Sequence, residues 1–310
     1  MGVRINKTPK FNELPFTIGF ELTGIWKGYS ELSYSNRKHM FRDNRCHPIC
    51  ARNSAVGCNV VQELSKFYPS LRPKIFGYNW KDGHCVEIPS PVFTSVSQCL
   101  EFYDRAWTEL RKYNYQPHHH ETVCGGNHIH IGISKSDLHW VREIYRHMAI
   151  HPEITWTFIS PDDTDSADVL NGYDCANAHD FIFGHQPDQC QKNKSSCLSL
   201  GFKKRVAKPI PTTLEFRCVE APKNKSEFID QLDFFISYIL YIKKRFQDGI
   251  GTKLDRLLIL EEINEIPLCV AEHNFYSLLA ELGLDKERYK KYVNRNLRPK
   301  WELERVRVEG

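Results

Sequence analysis

The chain has 310 residues, 41% of them hydrophobic and 26% charged, and a formal net charge of +4. That length supports one large domain or two moderate ones with a sizeable core, and that composition excludes a disordered or collagenous chain. The mild positive charge permits an anionic substrate such as a nucleotide without demanding nucleic acid. The opening stretch MGVRINKTPKFNELPF has no apolar core, so no secretion signal is expected. The longest apolar run, Phe234 to Ile242, is too short to span a bilayer. Eleven cysteines without a secretion signal predict reduced thiols and a cytoplasmic location.

In chain order, residues 16–23 alternate: Phe16, Ile18, Phe20 and Leu22 share one face, and Thr17, Gly19, Glu21 and Thr23 the other. That is the period of a half-buried strand. Residues 30–60 are polar and irregular and read as loop or short helices. A second short strand is predicted over 84–89. Val96, Leu100, Tyr103, Trp107 and Leu110 recur at helical spacing, with Thr94, Ser95 or Ser97 available as a cap. The stretch CGGNHIHIGI, Cys124 to Ile133, reads as a third strand, followed by a helix over about 136–150. Residues 155–205 form an excursion rich in Asp, Asn, Gly, Ser and Cys. A fourth strand spans 212–220, and Ser226 is placed as the cap of a long apolar helix that ends at Asp248-Gly249. One catalytic domain is expected over 1–250, with a helical extension over 251–310 packed on it. The last 26 residues are more basic, with nine Lys/Arg against five Asp/Glu, which is ordinarily a solvated helical face and only faintly favours a nucleic-acid partner. Amphipathic rather than fully apolar strands predict an α+β fold with a curved, mainly antiparallel sheet covered by helices on one face.

The two-residue period of a strand, applied to all four segments, separates a greasy side from a chemical one. Glu21 lies opposite the apolar set of its strand. Glu87 lies opposite Val86 and Ile88. His128 and His130 lie opposite Ile129, Ile131 and Ile133. Glu215 and Arg217 lie opposite Leu214, Phe216 and Cys218. If the strands are neighbours, three carboxylates, two imidazoles and a guanidinium share one face. A single Glu on a polar strand face is ordinarily just solvated. Acid and imidazole in the middle of each of four strands point instead to a shared site, because clustered carboxylates repel unless a cation is bound. Carboxylate ligands suit Mg²⁺ or Mn²⁺ bridging substrate phosphates, and Arg217 suits a phosphate or carboxylate.

Other segments carry weaker signals. Lys204 and Arg205, with Lys203, form a basic loop before the Glu-x-Arg strand that reads as a phosphate-binding loop or a plain solvated one. Asp162, Asp163, Asp165 and Asp168 are candidates for a general base, against a solvated acidic turn. Cys175, His179, His185, Cys190 and Cys197 lack the tight cysteine pairs of a structural zinc site. His118 to His120 read as a polar turn.

The motifs GFEL, VEIPSPV, CGGNHIHIGI and TLEFRCVEAP, in that order, resemble the core of the amidoligase family, within the glutamine synthetase-like superfamily of carboxylate–amine ligases and guanidino kinases. The resemblance covers about residues 16–240. It implies a glutamine synthetase-like sheet around a metal–ATP site, with Glu21, Glu87, His128 and Glu215 as metal ligands. It also implies His130 as a phosphate contact and Arg217 as the group that steadies the transferred phosphoryl, with Glu87 and Glu215 taking part in catalysis. The implied cofactors are ATP and Mg²⁺ or Mn²⁺. The implied partners are a small carboxylate and an amine, peptide- or nucleotide-linked forms included. One position departs from the family: Thr23 stands where a second acid is usual. That leaves open fewer metals, a ligand from elsewhere, or a binding module with a degenerate site. The rival enzyme readings are a kinase of the same superfamily and a zinc-dependent hydrolase.

Overall fold

A computed structural model describes residues 9–27, 48–71, 86–117, 127–159, 197–202, 210–252 and 266–302. Seven strands make one antiparallel sheet: β1 (Glu13–Trp26), β2 (Val86–Pro89), β3 (Phe93–Ser95), β4 (Tyr115–Pro117), β5 (His128–Gly132), β6 (Leu198–Phe202) and β7 (Pro211–Phe216). The main order is β2-β1-β5-β7-β6, and β3 and β4 also pair with β1. β1 is therefore the hub. It is longer than its alternating segment, extending from Glu13 to Trp26. Its length lets it pair with β2 and β3, and with β5 and β4, at successive positions.

The helices are α1 (Pro48–Ser65), α2 (Val96–Lys112), α3 (Leu138–Ile150), α4 (Pro152–Phe158), α5 (Lys225–Gln247), α6 (Leu268–Glu281) and α7 (Lys286–Tyr292), the last continuing into a π turn over Val293–Leu297. Helix α2 starts where Ser95 accepts a hydrogen bond from the Gln98 amide, within the predicted choice of caps. For α5 the cap is Asn224, whose side chain accepts from the Glu227 amide, and not Ser226, which lies inside the first turn. Asn224 is two residues earlier, where its side-chain oxygen reaches the Glu227 amide at 3.0 Å. Gly249, at φ 75°, follows the end of α5 in the left-handed conformation that glycine accommodates without strain.

Helices α2 and α5 cover the greasy side of the sheet. Phe20 of β1 packs edge-on against Phe102 of α2 at 5.5 Å and Phe228 of α5 at 4.8 Å between ring centroids. Phe216 of β7 meets Phe235 of α5 at 4.8 Å. Each such ring, fully buried, stabilises the fold by roughly 1.5–3 kcal/mol. Gly24 on the same side brings β1 close to α2: a Cβ there would stand 3.4 Å from the Trp107 ring.

A second layer forms behind α5. Phe158 of α4 touches Phe234 and Tyr292, and Trp156 touches Trp301. Arg288 reaches back to Asp230 and Asp233, two fully buried carboxylates of α5, at 2.8 Å each from Nε and Nη2. The C-terminal helices are thus joined to the sheet layer through α5. Within the expected 155–205 excursion, 155–158 belong to helix α4 and 198–202 are strand β6. Among the described residues no helix is long and apolar enough to cross a membrane.

Candidate metal centre

Backbone register decides which polar side chains meet. On the β1–β5 ladder Glu21 stands opposite His128 and Gly19 opposite His130. On the β5–β7 ladder His130 stands opposite Glu215, which faces Ser199 on β6. Two adjacent rows therefore cross the face turned away from α2 and α5. One holds Glu21 and His128, and the other holds Gly19, His130, Glu215 and Ser199. The isoleucines that alternate with the histidines, Ile129 and Ile131, are fully buried on the other side. Gly19 has no side chain to put beside His130; a Cβ there would stand 4.0 Å from His130 Cβ and 3.5 Å from both Ser90 Oγ and Pro91 O.

Four ligand atoms, one each from Glu21, His128, His130 and Glu215, lie within 4.8 Å of one another. His128 Nδ1 is 2.8 Å from Glu21 Oε2 and 3.1 Å from Glu215 Oε1. Carboxylates only accept, so this nitrogen carries the proton it donates. His130 Nε2 is 3.5 Å from Glu21 Oε1, and this buried nitrogen has no hydrogen-bond partner. Arg217 Nη1 donates to Glu215 Oε1 at 2.8 Å.

The charges are strongly coupled. Burial on its own would raise the Glu21 and Glu215 carboxyls, but contact with His128 outweighs it. Glu21 is held well below the usual carboxylate range, and Glu215 is lowered to about 2, helped by Arg217. Burial on its own would lower His128, yet hydrogen bonds to Glu21 and Glu215 raise it to about 9. An imidazolium held between two carboxylates occupies the place that a cation would take.

The residues fit a divalent ion on two observations. A buried imidazole nitrogen without a partner, aimed at a carboxylate, is an unused ligand atom. Four donors within 4.8 Å of one another come close to the span of at most about 4.4 Å set by an ion whose ligands stand about 2.0–2.2 Å from it, so a few tenths of an ångström of side-chain adjustment would close them on it. Four-ligand clusters of this kind, two nitrogens and two oxygens, accept Mn²⁺ or Zn²⁺ as well as Mg²⁺, because imidazole suits the softer ions.

The expected site residues divide as follows. Glu21, His128 and Glu215 converge, with Arg217 bonded to Glu215. His130, expected at a phosphate, is the fourth member of the group. Glu87 lies on the same face but outside it, opposite Thr23 and two residues along from the Glu21 row. Thr23 itself is buried, at 2% exposure. Lys204, Arg205, His118 to His120, the acidic stretch Asp162 to Asp168, and Cys175 to Cys190 lie outside the described residues. The signal for His130 was present in the sequence as its shared parity with His128. What parity omits is the cross-strand register that sets both imidazoles against the same carboxylate. No protein-family model, no curated protein and no solved structure matches this chain.

Proposed function

We propose that this protein is an ATP- and metal-dependent ligase that joins a carboxylate to an amine, with a glutamine synthetase-like catalytic domain. The observation that supports it most is the convergence of Glu21, His128, His130 and Glu215 beside Arg217 on one face of an antiparallel sheet. The order and spacing of the four motifs add the family resemblance. A carboxylate is a poor electrophile. Transfer of the ATP γ-phosphoryl to its oxygen gives an acyl phosphate and ADP. The amine then attacks the acyl carbon, the C–O bond to phosphate breaks, and the amine proton leaves to a base or to water.

A divalent ion, when bound, supplies positive charge to the phosphate oxygens of such a reaction. Glu21, His128, His130 and Glu215 would hold it. Arg217 offers a fixed fork of donors to a transferring phosphoryl or to a substrate carboxylate. Glu87, two residues along the face, is placed to meet a substrate amine or a further cation. Mg²⁺ or Mn²⁺ matches the oxygen ligands, and the second imidazole moves the preference toward Mn²⁺.

A second reading has that same imidazole behind it. A set of two imidazoles and two carboxylates also suits Zn²⁺, and a zinc-dependent hydrolase would use it without ATP. One experiment separates these. The protein is incubated with ATP, Mg²⁺ or Mn²⁺, and a panel of carboxylates and amines, and products are read by mass spectrometry. The ligase reading expects phosphate release that requires both substrates, with a product equal to their sum less one water. Phosphate transfer that needs no amine would make it a kinase. Failure of ATP turnover across the panel, with zinc retained in the purified protein, would support the hydrolase.

A further inference from the structure

Glu215 Oε1 is committed twice. It accepts from Arg217 Nη1 at 2.8 Å and stands 3.1 Å from His128 Nδ1, which carries a proton. A carboxylate oxygen has two lone pairs, so both are engaged. His128 can give up its proton when a cation takes its place. Arg217 cannot, because a guanidinium stays charged in a protein. A cation approaching Glu215 therefore meets a fixed positive charge bonded to that carboxylate, on Oε1, with only Oε2 left uncommitted by these two contacts.

Arg217 is itself poised to leave. It sits two residues along the same strand direction from Glu215, is about a quarter exposed, and among the described residues its guanidinium makes a hydrogen bond to Glu215 alone. The fork has five N–H donors, so most of it is unspent. A monodentate bond to a carboxylate is a weaker use of arginine than a bidentate grip on an oxyanion.

From this geometry we infer that Arg217 is a charge gate linking cation and oxyanion binding at this centre, resting on the metal-dependent function proposed above. Without an oxyanion, Arg217 lies on Glu215 and lowers the affinity for a divalent cation. A phosphate or carboxylate group arriving over the face takes the guanidinium and frees Glu215 Oε1. By linkage the effect is reciprocal: the cation, by claiming Glu215, releases Arg217 to the oxyanion. The centre then stays weakly loaded until its anionic substrate is present, and the two bind as a mutually reinforcing pair.

The test measures Mn²⁺ binding to the full chain by calorimetry, with and without sulfate as the oxyanion probe. Sulfate in solution pairs weakly with Mn²⁺, which works against the expected effect. For the unaltered protein sulfate is expected to tighten Mn²⁺ binding about 5-fold or more, the lower part of the usual range of coupling between sites. Arg217→Met is expected to bind Mn²⁺ tighter by a similar factor without sulfate and to gain nothing further when sulfate is added. Arg217→Lys keeps the charge and the fold without the fork. It should match the unaltered protein without sulfate and show a reduced sulfate effect. If Arg217→Met binds Mn²⁺ no more tightly, or sulfate acts alike on all three proteins, the gate is wrong while the metal centre stands. If none of the three binds Mn²⁺, the metal centre fails and the gate with it.

Discussion

Glu21 and His128 face each other across the β1–β5 ladder, with His128 Nδ1 2.8 Å from Glu21 Oε2. The same nitrogen is 3.1 Å from Glu215 Oε1, so one proton is held between two carboxylates from two different strands. A bound cation and that proton compete for one place. Metal binding must then expel the proton, since an imidazole ligand is neutral. With His128 raised to about 9, Mn²⁺ affinity is expected to rise with pH, by up to about tenfold per unit, and to level off near pH 9. Calorimetry in buffers of differing ionisation enthalpy should show about one proton released per ion at pH 7. Affinity that is flat between pH 6.5 and 9 would exclude His128 as a ligand.

The same contacts set the pH dependence of the metal-free fold. His128 is raised above its ordinary value of 6.5, so its contribution to stability is complete below about pH 6.5 and is lost as pH rises through about 9. Glu215 is lowered from 4.5 to about 2, so its contribution is present above about pH 4.5 and is lost as pH falls through about 2. The metal-free protein should therefore melt at its highest temperature between about pH 4.5 and 6.5 as far as these two groups decide it. His128→Gln should remove the decline between pH 7 and 9. A thermal denaturation series in both proteins checks this, and identical alkaline profiles would count against it.

Glu215→Gln keeps the side-chain volume and removes the charge. It should abolish ATP-dependent turnover, by about 100-fold or more if electrostatic stabilisation is the main contribution of the centre, with an unchanged far-UV circular dichroism spectrum. Glu87→Gln distinguishes ligand from neighbour. Glu87 is outside the four-residue group, so Mn²⁺ affinity in this variant should stay within about twofold of the unaltered protein, whereas Glu21→Gln should weaken it by at least about tenfold. Equal losses in the two variants would place Glu87 among the ligands.

Much of this was legible from periodicity, and the exceptions have physical causes. β1 and β5 were readable because one face of each is buried and the other polar, which forces strict alternation at Ile18, Phe20 and Leu22 and at Ile129 and Ile131. α4 was not readable, because every residue from Pro152 to Phe158 is buried and a helix buried all round shows no amphipathic period. β6 has the pattern LSLGF, but its five residues sit beside a polar, cysteine-rich stretch that masks them. Asp230 and Asp233 look like surface residues in an apolar helix. Their partner Arg288 comes 58 and 55 residues later, and no local rule connects them. His130 is a different case: its face was readable and its row was not, because the register of β5 against β1 and β7 is a property of the assembled sheet.

Arg288 holds two carboxylates that are fully buried in α5, and Lys291 meets Asp230 at 2.9 Å. Burial raises the Asp233 carboxyl against the pull of Arg288, so the pair is not a cheap one. Removing one partner of a buried ion pair leaves an uncompensated charge, typically at a cost of about 3–5 kcal/mol; here that charge is on Asp233, since Asp230 keeps Lys291. Arg288→Ala should lower stability by about that much in urea denaturation. Arg288→Ala combined with Asp233→Asn should recover part of the loss, because the orphaned charge is gone. A further loss in the double variant would mean that the Asp233 carboxylate stabilises α5 by some other route, such as its bond from the Lys10 amide.

Thr23 offers the sharpest test of how many cations the face accepts. It is buried beside the metal group and directly opposite Glu87 on β2. Thr23→Glu would place two carboxylates across from one another on adjacent strands, and like charges so placed destabilise a sheet. Buried carboxylates that repel are stabilised by a cation between them. The variant is therefore expected to melt below the unaltered protein in chelator and to gain more from added Mn²⁺ than the unaltered protein does. Its binding isotherm should also show a second Mn²⁺ site, where the unaltered protein shows one. Lower melting in chelator with no extra gain from Mn²⁺ would show that Glu87 and position 23 cannot share an ion, and that the single four-ligand group is the whole of the centre.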